Sequence, residues 1–103
     1  MIDWARIEGF EWDAGNERKS ERMHAVSAAE AEQVFFNAPL IVVLDEGHSL
    51  AEVRIHGLGR SDAGRLLHVS FTLRLQGRLI RVISARDMHR KERAIYGRQE
   101  QGG

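Results

Sequence analysis

From Leu40 onward the apolar residues of this 103-residue chain switch to a period of two, and that switch limits what it can fold into. Four runs, residues 40–44, 53–60, 67–74 and 79–85, read as strands. Leu75-Gln76-Gly77-Arg78 separates the last two and suits a tight hairpin centred on Gln76-Gly77. With that turn, partners on the last two strands sum to 153: Phe71 faces Val82, Leu73 faces Ile80, Ser70 lies beside Ile83 and Thr72 beside Arg81. Between the two middle strands, alternation requires an even sum near 126, which sets Arg54 beside Thr72, His56 beside Ser70 and Leu58 beside His68. One sheet face therefore collects Arg54, His56, His68, Ser70, Thr72 and Arg81, with no carboxylate on these strands.

Ahead of the sheet, Phe10-Glu11-Trp12 alternates like a short strand, and Asp13 caps a polar helix over residues 14–23. Ser27 and Glu30 form a capping box that opens a second helix, with Ala31, Val34 and Phe35 on one face. Pro39 stops it. A last helix is expected over residues 87–96, with Gly97 as its stop and residues 99–103 as a flexible tail. The reading is one α+β domain over residues 1–103: two N-terminal helices, a four-stranded antiparallel sheet, then a C-terminal helix.

Charge is divided unevenly along the chain. Residues 1–53 carry four basic and eleven acidic side chains, and residues 54–103 carry eleven and four, so a net charge of zero hides −7 and +7. Ten of the eleven cations in the second half are arginine, whose planar fork suits phosphate or carboxylate. Pairing of the acidic half with the basic half inside the molecule is the plain alternative. No cysteine is present, which removes disulfides, thiolate zinc sites and cysteine nucleophiles. No stretch approaches the roughly 18 apolar residues of a membrane span, and no basic-then-apolar leader opens the chain, so the expected location is cytoplasmic.

Several chemistries lack their residues. There is no G-x-S-x-G for a serine hydrolase, and Gly57-Leu58-Gly59 lacks the third glycine and following helix of a dinucleotide fingerprint. His56 and His68 are possible neighbours, but no third metal ligand is evident, so neither metal nor cofactor is expected. What remains is phosphate chemistry. RNA brings its own 2′-hydroxyl nucleophile and needs a proton acceptor, cations for the charge developing on phosphorus, and a donor to the leaving oxygen. Arg86, Arg90, Arg93 and Tyr96 fall at helical spacing and extend the cationic surface, although a solvated face is the better account of Arg90. Tyr96 reads as a packing anchor and His24 as a polar turn residue unless further evidence gives them chemistry.

Phe10-Glu11-Trp12-Asp13, then His24-x-Val26-Ser27, then Glu30-Ala31 leading to Val34-Phe35, resemble the opening of BrnT-like toxins. The later runs agree: Arg54 with Gly59, Gly64-Arg65-Leu66-Leu67, Phe71-Thr72, Ile80-Arg81-Val82-Ile83-Ser84-Ala85-Arg86, and Glu92-Arg93 before Tyr96. The resemblance implies a RelE-like fold and a metal-independent endoribonuclease that inhibits translation. It implies a BrnA-like ribbon-helix-helix antitoxin as partner, with DNA reached only through that antitoxin. Carried over by position, His24, Arg54, Arg81 and Arg86 are the implied catalytic residues. Glu92, Arg93 and Tyr96 are implied as secondary, and with Thr72 and His68 from the polar sheet face they are the expected substrate-binding residues. Met23 and Ala25 replace the usual lysine and glycine around His24, and Ser20 replaces an asparagine, which predicts weakened activity or a degenerate copy. Residues 45–49 also hold fewer acidic residues than the resemblance leads one to expect.

Two other readings compete. A non-enzymatic module would use the arginines to dock an acidic partner. A general RNA-binding module is disfavoured, because most of the seven aromatics look like core and leave few stacking platforms.

Overall fold

The computed structural model describes residues 2–45 and 53–102. Residues 46–49, the part of the chain poorer in acidic residues than expected, and Gly103 of the tail lie outside the described residues. In chain order the elements are β1 (Gly9–Trp12), α1 (Ala14–His24), α2 (Ala28–Gln33), β2 (Ile41–Asp45), β3 (Arg54–Arg60), β4 (Leu66–Arg74), β5 (Leu79–Asp87) and α3 (Arg90–Gly102).

The caps expected from the sequence form. Asp13 Oδ1 accepts from the backbone N–H groups of Gly15 at 2.8 Å and Asn16 at 3.2 Å, starting α1. Ser27 Oγ accepts from Glu30 N at 3.1 Å, starting α2. The Glu30 carboxylate does not complete a capping box; it turns to Arg65 at 3.0 Å. Between the helices Ala25 sits at φ 54°, ψ 37°, a left-handed conformation that a side chain disfavours and glycine accepts.

The sheet has five strands in the order β1-β5-β4-β3-β2, one more than the four expected. The addition is the Phe10-Glu11-Trp12 segment, which pairs parallel to β5 from Gly9↔Leu79 to Trp12↔Val82. Beyond Val82, α1 covers the β5 edge: Ala85 N–H donates to the buried Ser20 hydroxyl at 3.2 Å. β3 and β4 pair with the expected sum of 126, including His56↔Ser70 and Leu58↔His68. β4 and β5 keep the sum of 153 from Arg74↔Leu79 to Phe71↔Val82, across a turn centred on Gln76-Gly77.

At that point the register shifts. Ser70 pairs with Ser84 and not with Ile83, which is left as the extra residue of a bulge. From there the sum is 154, so His68 faces Arg86 and Val69 faces Ala85. A second correction concerns the last helix. β5 continues to Asp87, opposite Leu67, and α3 starts only at Arg90 and passes Gly97 to reach Gly102. Arg86 therefore stands on a strand and shares no helical stripe with Arg90 and Arg93.

One sheet face carries Ile55, Val69, Phe71, Ile80, Val82 and Ala85, which pack with Val26, Ala31 and Val34 from the helical side. Phe35 meets Phe71 edge-on, with ring centroids 5.0 Å apart. Gly59 lets the helical layer approach β3: a Cβ there would lie 2.9 Å from Val34 Cβ. On the opposite face α3 covers one end, where Tyr96 and Met88 bury Leu58 beside Ile41 and Leu66. Among the described residues, no helix is long and apolar enough to cross a membrane.

Two substitutions test this packing. Gly59→Ala forces Val34 away from β3 and should destabilise the fold by about 1–3 kcal/mol in denaturant titration. Ala25→Gly relieves the left-handed turn and should raise stability by about 1 kcal/mol. An unchanged midpoint in either variant contradicts the geometry described.

Candidate active site

The polar sheet face is built by strand alternation, and the bulge decides its membership. Arg81 and Arg86 are five residues apart, so an unbroken strand would point them to opposite faces. The extra residue at Ile83 restores the parity: Arg81 stands across from Thr72, and Arg86 across from His68. Arg54, Arg81 and Arg86, three of the four residues implied as catalytic, thus share a face with His56, His68, Ser70 and Thr72.

His56 lies at the middle of this face. Its Nε2 is 2.7 Å from Asp45 Oδ2 and its Nδ1 is 3.1 Å from Ser70 Oγ. Asp45 comes from the end of β2, one residue beyond the expected strand, and is the carboxylate that the sequence reading left off this face. The His56 and His68 rings lie 4.9 Å apart and tilted by 37°. His68 is buried, and its Nδ1 has no hydrogen-bond partner among the described residues. Burial, and then the positive charge of Arg86, push the His68 ring down to about 4. It is neutral at physiological pH.

Arg86 makes a two-pronged ion pair with Glu92, at 2.8 and 3.0 Å. The hydrogen bonds from Arg86 hold the Glu92 carboxyl at about 2, well below its ordinary range. Glu92 Oε1 also accepts from His89 N at 2.8 Å, so the pair ties the end of β5 to the first turn of α3. Thr72 is buried and donates to Val53 O at 2.7 Å. Arg81 is half-buried, with Asp13 Oδ2 3.8 Å away.

The remaining candidates lie elsewhere. His24 ends α1, and its carbonyl accepts from Arg65 at 3.0 Å, so it is not among the groups around His56. Arg93 and His24 both act on Asp87, lowering its carboxyl after the larger effect of Arg65. Tyr96 is fully buried and donates to Pro39 O at 2.7 Å, the packing role that its apolar neighbour Ile95 suggested.

Arg65 was overlooked as an organising residue. It bonds Asp87 through two nitrogens, Glu30, and the carbonyls of His24 and Ala25, holding the α1–α2 turn against the end of β5. Its only sequence signal was its place in Gly64-Arg65-Leu66-Leu67. Pairing between the two charge halves is also present: Arg65 with Glu30, Arg78 with Glu8, Arg81 with Asp13. Among the described residues, no three histidine or carboxylate groups converge as a metal site.

The His68 environment makes stability depend on pH. The folded state keeps this ring neutral down to about 4, whereas the unfolded chain binds the proton near 6.5. Falling pH therefore favours unfolding across that window, by about 3 kcal/mol between pH 7 and 4. Denaturant titrations should show this loss in the parent and not in His68→Gln; parallel curves contradict it.

Comparison with known proteins gives a family and a fold. The family model for the ribonuclease toxin BrnT of type II toxin–antitoxin systems matches residues 12–92. Among solved structures, the chain is similar to the 1.1 Å crystal structure of the Brucella abortus ribonuclease toxin BrnT, with a TM-score of 0.56 and 17% identity. That match covers 80% of this chain and 97% of the other, and at this identity it is a likeness of fold. No curated protein matches the chain. A helical layer, a bulged five-stranded sheet and a family match over most of the chain lead to one conclusion: it belongs to the BrnT family of ribonuclease toxins of type II toxin–antitoxin systems.

Proposed function

We propose that this chain is a metal-independent endoribonuclease that cuts RNA through the RNA's own 2′-hydroxyl and so stops translation. A BrnA-like ribbon-helix-helix antitoxin holds it in check. The observation that carries the reading is the gathering of Arg54, Arg81 and Arg86 with two histidines on one sheet face, in the basic half of the chain.

Arginines fixed on neighbouring strands stabilise the charge that develops on a phosphate during attack, the part a metal ion plays in other nucleases. Arg81 is the strongest candidate for phosphate contact, because its nearest carboxylate among the described residues stands at 3.8 Å, beyond a direct hydrogen bond. Arg54 stands across β2–β3 from Asp45. Arg86 first gives its fork to Glu92, so it contributes through the field it casts on the face as well as by contact. His24 and Arg93, beside Asp87, flank this face and contact RNA away from the scissile phosphate. The left-handed Ala25 and the missing lysine at Met23 act on this flank and lower activity without removing the arginine face.

Induced expression of the parent should arrest growth and translation, and Arg81→Ala should not, with its RNA cleavage rate down by about 10²-fold or more. Cleavage by the purified parent should persist in excess EDTA. Growth unaffected by a soluble, folded parent contradicts the reading, and arrest by Arg81→Ala contradicts the assignment of Arg81.

A further inference from the structure

We propose that His56 is the group that accepts the 2′-hydroxyl proton during cleavage, and that Asp45 is its positioning residue. The proposal rests on the ribonuclease reading and adds to it a residue outside the implied catalytic set.

The geometry fixes the proton on the ring. An ionised carboxylate can only accept, so the 2.7 Å contact with Asp45 Oδ2 requires the hydrogen on Nε2. In the neutral ring Nδ1 keeps its lone pair, and it is turned toward Ser70 Oγ, 3.1 Å away, on the face shared with the arginines. A carboxylate behind one nitrogen and a free lone pair on the other is the arrangement by which an imidazole is oriented for proton abstraction, and Asp45 stabilises the imidazolium that results.

Exposure separates the two histidines. The His56 side chain is 31% exposed and within reach of a substrate, whereas His68 is buried beneath it. Among the described residues the groups facing His56 are Asp45 on β2, Arg54 along its own β3, and Ser70 and His68 on β4, with Arg86 of β5 across from His68. Ser70 holds Nδ1 in the absence of RNA, and the 2′-hydroxyl takes its place when RNA binds.

In the step, the 2′-oxygen gives its proton to His56 Nδ1 and bonds to phosphorus. The P–O5′ bond breaks, and the 5′-oxygen takes a proton from water. The products are a 2′,3′-cyclic phosphate and a 5′-hydroxyl end, and His56 returns its proton to solvent.

The test compares the parent with His56→Gln, His56→Ala and Asp45→Asn on an end-labelled RNA in EDTA, with each variant's melting curve recorded. Both His56 variants should lose about 10²–10⁴-fold in kcat with KM nearly unchanged. Added imidazole should restore part of the rate to folded His56→Ala and none to Asp45→Asn. Cleavage by His56→Gln within threefold of the parent overturns the proposal and leaves the ribonuclease reading standing. Loss in His56→Ala without imidazole rescue, in a protein that melts like the parent, also overturns it. A parent that leaves RNA intact overturns the ribonuclease reading itself.

Discussion

Between Phe71↔Val82 and Ser70↔Ser84, β5 carries one more residue than β4, and the composition of the polar face depends on that one residue. Before the bulge the odd rungs of β4 bury even residues of β5, Ile80 and Val82; after it they bury Ala85. Arg86 is thereby transferred to the face that holds His68, and Asp87 to the side where Arg65 grips it. Were Ile83 paired with Ser70 and the sum of 153 kept, Ala85 would occupy the place of Arg86. The N–H of Ala85 is taken by Ser20, so α1 stabilises the altered ladder from the open edge of β5.

Much of this was legible in the sequence because side-chain alternation leaves few choices. An even sum followed directly from matching apolar rows on β3 and β4, and the Gln76-Gly77 turn set the hairpin. The bulge was less visible, since Val82-Ile83-Ser84 fits a regular strand as well. Yet the odd spacing of Arg81 and Arg86 already required either a bulge or two different faces. The helical spacing of Arg86, Arg90 and Arg93 set Arg86 at the entry of the last helix on one stripe with them, whereas β5 runs on through Asp87 and the ladder bond from Met88 N to Leu66 O carries the pairing past it. The start of α3 was hidden because His89, not serine or threonine, precedes Glu92 by three residues, and the Glu92 carboxylate supplies the cap. Asp45 escaped because the β2–β3 register was not derivable from a compact apolar run. Without that register its contact with His56 has no sequence signature.

The division of charge along the chain turned out to have two uses. Arg65 binds Glu30 and Asp87 and acts as a structural clamp, and Arg86 joins β5 to α3 through Glu92. These arginines are held by short hydrogen-bonded pairs. Among the described residues Arg81 meets only a distant carboxylate, so its charge is the more open to a phosphate. The basic half is therefore partly a scaffold and partly a surface, and the distances distinguish the two.

The central claim is that RNA binds across the face bearing Arg54, His56 and Arg81. A 2′-O-methyl RNA, which lacks the attacking hydroxyl, can be titrated into isotope-labelled protein while backbone and side-chain NMR shifts are followed. The account predicts the largest shifts at Arg54, His56 and Arg81, with little change on the exposed cationic side of α1 at Arg18, Lys19 and Arg22. Shifts confined to α1, with the sheet face undisturbed, would contradict it.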